Sequence, residues 1–211
     1  MIKSAIEDEG VRVVCKYLQL ETTNVEELEL VDNKITSLGC EFIAKTVVLK
    51  GTKLKVLKLD HNPIKSQGVA ELSKGLSMNS VIESISLNYC FLEPDCAQSI
   101  MSIIIYLNSN LQELSLQGNN IQNEGALIIF KALLAAKNLE KINVSDNHIS
   151  DTVEIMAMLK SVMKGNAAVR SYNLRFNGFI ESGKDLVEVV KECKHIYDLQ
   201  LDEKLDTEFL I

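Results

Sequence analysis

Residues 111–121 read Leu111-Gln-Glu-Leu114-Ser-Leu116-Gln-Gly-Asn119-Asn-Ile121. Leu114 and Leu116 stand two apart, so both side chains leave a short strand on one side. Asn119 follows where the chain turns out of the strand. Its amide both donates and accepts, so it can satisfy backbone groups of neighbouring turns that no regular ladder reaches. The spelling apolar-x-x-apolar-x-apolar-x-x-Asn-x-apolar recurs, with starts at Val25, Leu54, Ile82, Leu111, Leu139, Val169 and Ile196. Successive starts lie 29, 28, 29, 28, 30 and 27 residues apart. One copy would be weak evidence. Seven in register mark a stacked-repeat architecture. Asn33, Asn62, Asn119, Asn147 and Asn177 hold the turn place, Cys90 holds it in the third copy, and Lys204 falls there in the seventh, which reads as the end of the array.

The second half of each copy has helical spacing, with apolar residues at i, i+3, i+4 and i+7. Cys40, Ile43, Ala44 and Val47 form such a set, as do Ala97, Ile100, Met101 and Ile104, and Ala126, Ile129, Phe130 and Leu133. In the fifth and sixth copies the set begins one and two residues later, at Ile155 and Leu186, which implies longer strand-to-helix loops with the strands still in register. Val11, Val14, Cys15 and Leu18 match a second half alone, so residues 1–24 read as a half-repeat, either an N-terminal cap or the inside of a longer array.

These residues resemble the leucine-rich repeat family, ribonuclease-inhibitor class. Ile85-Ser-Leu87-Asn-Tyr-Cys90-Phe-Leu92-Glu-Pro-Asp-Cys96 is similar to the Cys-bearing repeat of that class, and the second and fourth copies to its Asn/Gly repeat. The resemblance covers the whole chain. It implies an α/β solenoid, a horseshoe with parallel strands on the concave face and helices on the convex face. Such units cannot bury their faces alone and must stack. No linker rich in Gly, Pro or Ser divides the chain, so residues 1–211 are expected to form a single domain.

Composition narrows the function. The chain has 211 residues, 46% of them hydrophobic and 24% charged, enough to bury a core. The net charge of −7 and only three arginines, Arg12, Arg170 and Arg175, argue against nucleic acid as a partner. The longest apolar runs, Ile103–Leu107 among them, have five residues, far short of the ~20 of a membrane helix, so no membrane insertion is expected. The acidic start and five cysteines point to reduced thiols and a cytoplasmic location.

A search for chemistry finds little. No Gly-rich phosphate loop is present. Cys90, Cys96 and His61 could form a zinc site, but the resemblance makes both cysteines structural. Ser145, Asp146 and His148 are too close in sequence to present a catalytic triad. No enzymatic activity, cofactor or metal is expected. Ran GTPase-activating proteins share the repeat class and place an Arg in an early loop. No Arg occurs here between Arg12 and Arg170, and Lys34 in the corresponding turn cannot supply a guanidinium fork.

A protein-interaction scaffold or adaptor is therefore the leading expectation, with a structural role in a cytoskeletal or ciliary assembly as its narrower form. Regulation of a small GTPase is the alternative. Three surfaces compete for the partner. Outward strand positions run from Glu27, Glu29 and Val31 through Lys58, Asp60, Asn88, Gln117, Asn143, Ser145 and Arg175 to Asp198, Gln200 and Asp202, changing from acidic through mixed, neutral and weakly basic back to acidic. The turns carry His61, Tyr89, Phe91, Phe176 and Phe179. On the helices, Phe42 and Ile128 fall at outward positions, with Leu127, Ile105 and Tyr106 nearby, which suggests lateral docking. The turn Asn residues should be structural, with Asn119→Ala costing on the order of 1–3 kcal/mol. The terminal Phe209–Ile211 is expected to fold over the last repeat or dock on a neighbouring chain.

Overall fold

The computed structural model describes residues 4–49, 51–106, 110–179 and 182–202. Helix α1 (Glu7–Leu18) leads into strand β1 (Glu27–Glu29), and six strand–helix alternations follow. These are α2 (Ser37–Val47), β2 (Val56–Lys58), α3 (Lys65–Leu76), β3 (Ser84–Ser86), α4 (Ala97–Tyr106), β4 (Glu113–Ser115), α5 (Gln122–Leu133), β5 (Lys141–Asn143), α6 (Val153–Gly165), β6 (Ser171–Asn173), α7 (Gly183–Glu192) and β7 (Asp198–Gln200). A 3-10 turn, Pro94–Cys96, precedes α4. The strands form one parallel sheet in sequence order. Leu28, Leu57, Ile85, Leu114, Ile142, Tyr172 and Leu199 lie side by side across it. At about 4.8 Å per strand the sheet spans roughly 30 Å. The later helix starts of the fifth and sixth copies leave this register intact.

The core lies between sheet and helices, and each repeat supplies the same places. Leu111, Leu114, Leu116 and Ile121 are buried, as are Ala126, Ile129, Phe130 and Leu133 of the following helix. Burying each large side chain contributes roughly 1.5–3 kcal/mol. Helices approach closely where small residues face each other. A Cβ on Gly75 would meet the Ala44 carbonyl oxygen at 2.2 Å, so only glycine lets α3 lie against α2 there. Helix starts are tied across repeats as well. The Asp8 carboxylate accepts hydrogen bonds from the Thr36 and Gly39 amides, at 2.8 and 2.9 Å, at the N-terminus of α2.

Several sequence expectations change. Phe179 is fully buried as the last apolar residue of its copy and is no rim residue. Ser145, expected on the open strand face, is 1% exposed and donates to Asn143 Oδ1 at 2.7 Å. Phe42, Leu127 and Ile128 are half-buried and pack on the core, whereas Ile105 and Tyr106 are exposed as expected. Lys204 and Phe209–Ile211 lie outside the described residues. No described helix is long and apolar enough to cross a membrane.

Candidate functional site

The turn asparagines form a buried ladder, interrupted on its acceptor side at Cys90. Asn119 Oδ1 accepts from the Cys90 and Leu92 amides of the preceding turn, at 2.9 and 3.1 Å. Its Nδ2 donates to the carbonyls of Leu87, Leu116 and Gln117. Asn62 serves the Asn33 and Ile35 amides in the same way, and Asn177 those of Asn147 and Ile149. Asn147 accepts from Ile121 at 3.3 Å, and Asn33 accepts from Ser4 and Ile6. Cys90 keeps the donor half of this role through contacts of its Sγ with the Leu59 and Asn88 carbonyls, at 3.3 and 3.4 Å. It has no oxygen to accept with, and the Ile64 amide turns instead to the Asn62 carbonyl at 2.8 Å.

This ladder holds a row of left-handed residues at the strand exit. The residue before each turn Asn or Cys has positive φ in six consecutive copies: Asp32, His61, Tyr89, Gly118, Asp146 and Phe176. Lys34, Phe91 and His148 repeat the conformation after it. Non-glycine residues adopt this backbone at a cost, which the surrounding hydrogen bonds must offset. The outcome is an edge from which side chains project: Phe91 is 66% exposed and Phe176 68%.

The strand face is a polar trough of about 450 Å³ lined by Ser84, Ser86, Ser115, Asn143, Ser171 and Asn173 among others. Its side chains are linked from copy to copy. Ser86 Oγ donates to Asp60 at 2.6 Å, Asn88 Nδ2 to Ser86 at 2.9 Å, Ser115 to Asn88 Oδ1 at 2.7 Å, and Asn143 Nδ2 to Ser115 at 3.0 Å. Gln117 joins this chain to the edge, because its Nε2 donates to Tyr89 Oη at 3.1 Å. Lys58 bridges Glu29 and Glu27, whose hydrogen bonds hold its ammonium above the usual lysine range. Lys141 is raised likewise by Glu113. Asp60, Asn88, Gln117 and Asn143 thus share one hydrogen-bonded surface, with Lys58 beside it on β2 and Tyr89 and Phe91 on its border. Arg175 is tied at the far end, where Nε donates to the Leu201 carbonyl at 3.1 Å. Ile128 lies on the opposite side, on a shallow apolar groove between α5 and α6 with Leu127, Ala157 and Met158.

Cys40, Cys90 and Cys96 are buried, and desolvation raises all three thiols, Cys90 and Cys96 to about 12. Among the described residues no group of three His, Cys, Asp or Glu side chains could hold a metal ion. Two buried asparagines on helix-to-strand turns were not anticipated from the sequence. Asn79 Nδ2 donates to Val47 O at 2.7 Å, and Asn166 Nδ2 donates to Ala136 O at 2.7 Å. Each stands three residues before a copy start, Ile82 and Val169, and that spacing was the available signal.

A family model described as Leucine Rich repeat matches residues 22–44, 52–73, 107–129 and 135–152. Mouse ribonuclease inhibitor is 26% identical over 156 residues, 73% of this chain and 34% of that protein. The chain carries leucine-rich repeats similar to those of ribonuclease inhibitor. Human NACHT, LRR and PYD domains-containing protein 5 is 31% identical over 141 residues, 66% of this chain and 12% of that protein. The chain thus spans a small part of these curated relatives. Among solved structures, the tropomodulin C-terminal domain of Caenorhabditis elegans superposes with a TM-score of 0.59 at 14% identity, covering 73% of this chain and 91% of that one. Leiomodin-1 actin-binding site 2 gives 0.53 at 17% identity, covering 85% and 84%. These structures share the fold. In leucine-rich repeat terms, the trough is the concave face and the Tyr89–Phe91 border is its strand-exit edge.

Proposed function

We propose that this leucine-rich repeat protein is a non-enzymatic protein-interaction scaffold of a cytoskeletal or ciliary assembly, engaging its partner through the concave face and the strand-exit edge. The observation that carries the reading is the hydrogen-bonded surface from Asp60 to Asn143, bordered by exposed Tyr89 and Phe91. Its polar groups already hydrogen-bond one another, so covering them leaves few stranded donors. The edge aromatics add apolar contact to that offered by Tyr197 in the trough. The shared fold with tropomodulin and with leiomodin-1 actin-binding site 2 supports the cytoskeletal half and makes actin the first partner to test.

The test is co-sedimentation of the purified chain with actin filaments, alongside fractionation of cells that express it. The reading expects the chain in the filament pellet or the detergent-resistant cytoskeletal fraction, and its release by Ser115→Lys, which sets a long cation in the trough. A chain that stays in both supernatants contradicts the cytoskeletal role. The GTPase-regulator alternative gains no support: Lys34 supplies no guanidinium, and its ammonium lies 4.0 Å from Glu7.

A further inference from the structure

An open pocket of about 410 Å³ on the strand-exit edge is lined by Asp32, His61, Tyr89, Phe91 and Gly118. Asp32, His61, Tyr89 and Gly118 hold the same loop place in four successive repeats, each four residues past the paired positions Leu28, Leu57, Ile85 and Leu114. The Tyr89 ring is fixed three ways. It stacks on His61 with centroids 4.7 Å apart and planes 9° apart. Its hydroxyl accepts from Gln117 at 3.1 Å. It also lies over Gly118, where a Cβ would come within 2.1 Å of a ring carbon. Yet Tyr89 is 37% exposed and Phe91 66%. A ring is thus held rigid in solvent, and little freedom remains to be lost on binding.

The chemistry of the lining selects for positive charge. Aromatic rings attract cations electrostatically, and the Asp32 carboxylate sits on the same rim. No lysine or arginine is among the five lining residues. The chain carries a net charge of −7, which favours a basic segment on the partner. We infer that this pocket takes an arginine side chain of the partner protein. A guanidinium is planar and weakly hydrated, stacks on aromatic rings and forks onto a carboxylate, whereas a lysine ammonium holds its water more tightly. The inference rests on the protein-binding role proposed above and specifies what the partner presents at the edge.

The test is an NMR titration of the isotope-labelled full chain with Nα-acetyl-arginine amide. Its citrulline counterpart, similar in shape but neutral, and its phenylalanine counterpart are titrated in parallel. The arginine probe should shift the amides of His61, Tyr89, Phe91 and Gly118 and bind more strongly than either control. Asp32→Asn should weaken it about 2–5-fold, the worth of one exposed ion pair. Gly118→Ala should displace the Tyr89 ring and remove the response, while unchanged amides in β5 and β6 show that the fold is kept. Equal binding of citrulline or phenylalanine, shifts confined to other surfaces, or no shifts at all would overturn the inference. The probe needs no natural partner, so the two readings fail separately. Filament binding without an arginine response sinks the pocket alone, and an arginine response without any filament or cytoskeletal binding sinks the cytoskeletal scaffold alone.

Discussion

Replacing Asn119 by Ala removes one buried side chain and strands groups in two repeats. The Cys90 and Leu92 amides lose their acceptor, and the Leu87, Leu116 and Gln117 carbonyls lose a shared donor. Asn119 is 5% exposed, so water replaces little of this without opening the turn. A buried donor left unpaired costs about 1–3 kcal/mol, and two such amides bring the loss to about 2–6 kcal/mol. The carbonyls add less, because an amide donor shared among three contributes little to each. With a urea slope of about 2 kcal/mol/M the midpoint should fall by about 1–3 M. Cys90→Ala is the internal control, since it removes only weak thiol contacts and should cost about 1 kcal/mol. Urea unfolding followed by circular dichroism reads both. An Asn119→Ala midpoint equal to wild type, or a larger loss for Cys90→Ala, would refute the ladder as a stabilising device.

Other perturbations follow from the same structure. Tyr172 is fully buried on β6 and no described protein group pairs with its hydroxyl, so Tyr172→Phe should hold or raise the unfolding midpoint, by up to about 1 kcal/mol; a clear loss would show a hidden partner. Gly75→Ala should destabilise by about 1–3 kcal/mol, because its methyl meets the Ala44 backbone, and a neutral result would mean that α2 and α3 are farther apart. All five cysteines are free and buried, so a thiol reagent at mildly alkaline pH should react slowly with the native chain and fully in denaturant, and reductant should leave the midpoint unchanged. Lys58 holds the Glu29 carboxyl below its usual range. That pairing is complete above the ordinary carboxylate pKa and is lost as pH falls through the lowered one, so Lys58→Met should move the Glu29 titration seen by NMR upward.

The repeat could be read from sequence because its spelling is its physics. Leu114, Leu116 and Ile121 are apolar because all three face the core, and Asn119 is Asn because only a side chain that both donates and accepts serves two turns. The edge was less legible. Tyr89 and Phe91 could be placed there, but the rigidity of the Tyr89 ring comes from Gly118, a residue of the next repeat that looks in sequence like an ordinary turn glycine. Phe179 satisfied both the rim and the core description, and packing chose the core. Ser145 alternates outward by strand period, yet its short side chain turns back to donate to Asn143 Oδ1 and is buried. The exposure of Phe42 and Ile128 depends on how closely neighbouring helices pack, which small residues such as Gly75 set from another copy.

The central claim is that the concave face and its strand-exit edge meet the partner and the helical face does not. Photo-crosslinking decides this most directly, with a benzophenone amino acid placed singly at Ser86 in the trough, Phe91 on the edge and Ile128 on the convex groove, in cells that express the chain. The account expects the same cytoskeletal protein captured from Ser86 and Phe91, with none captured from Ile128. Capture from Ile128 alone would contradict it.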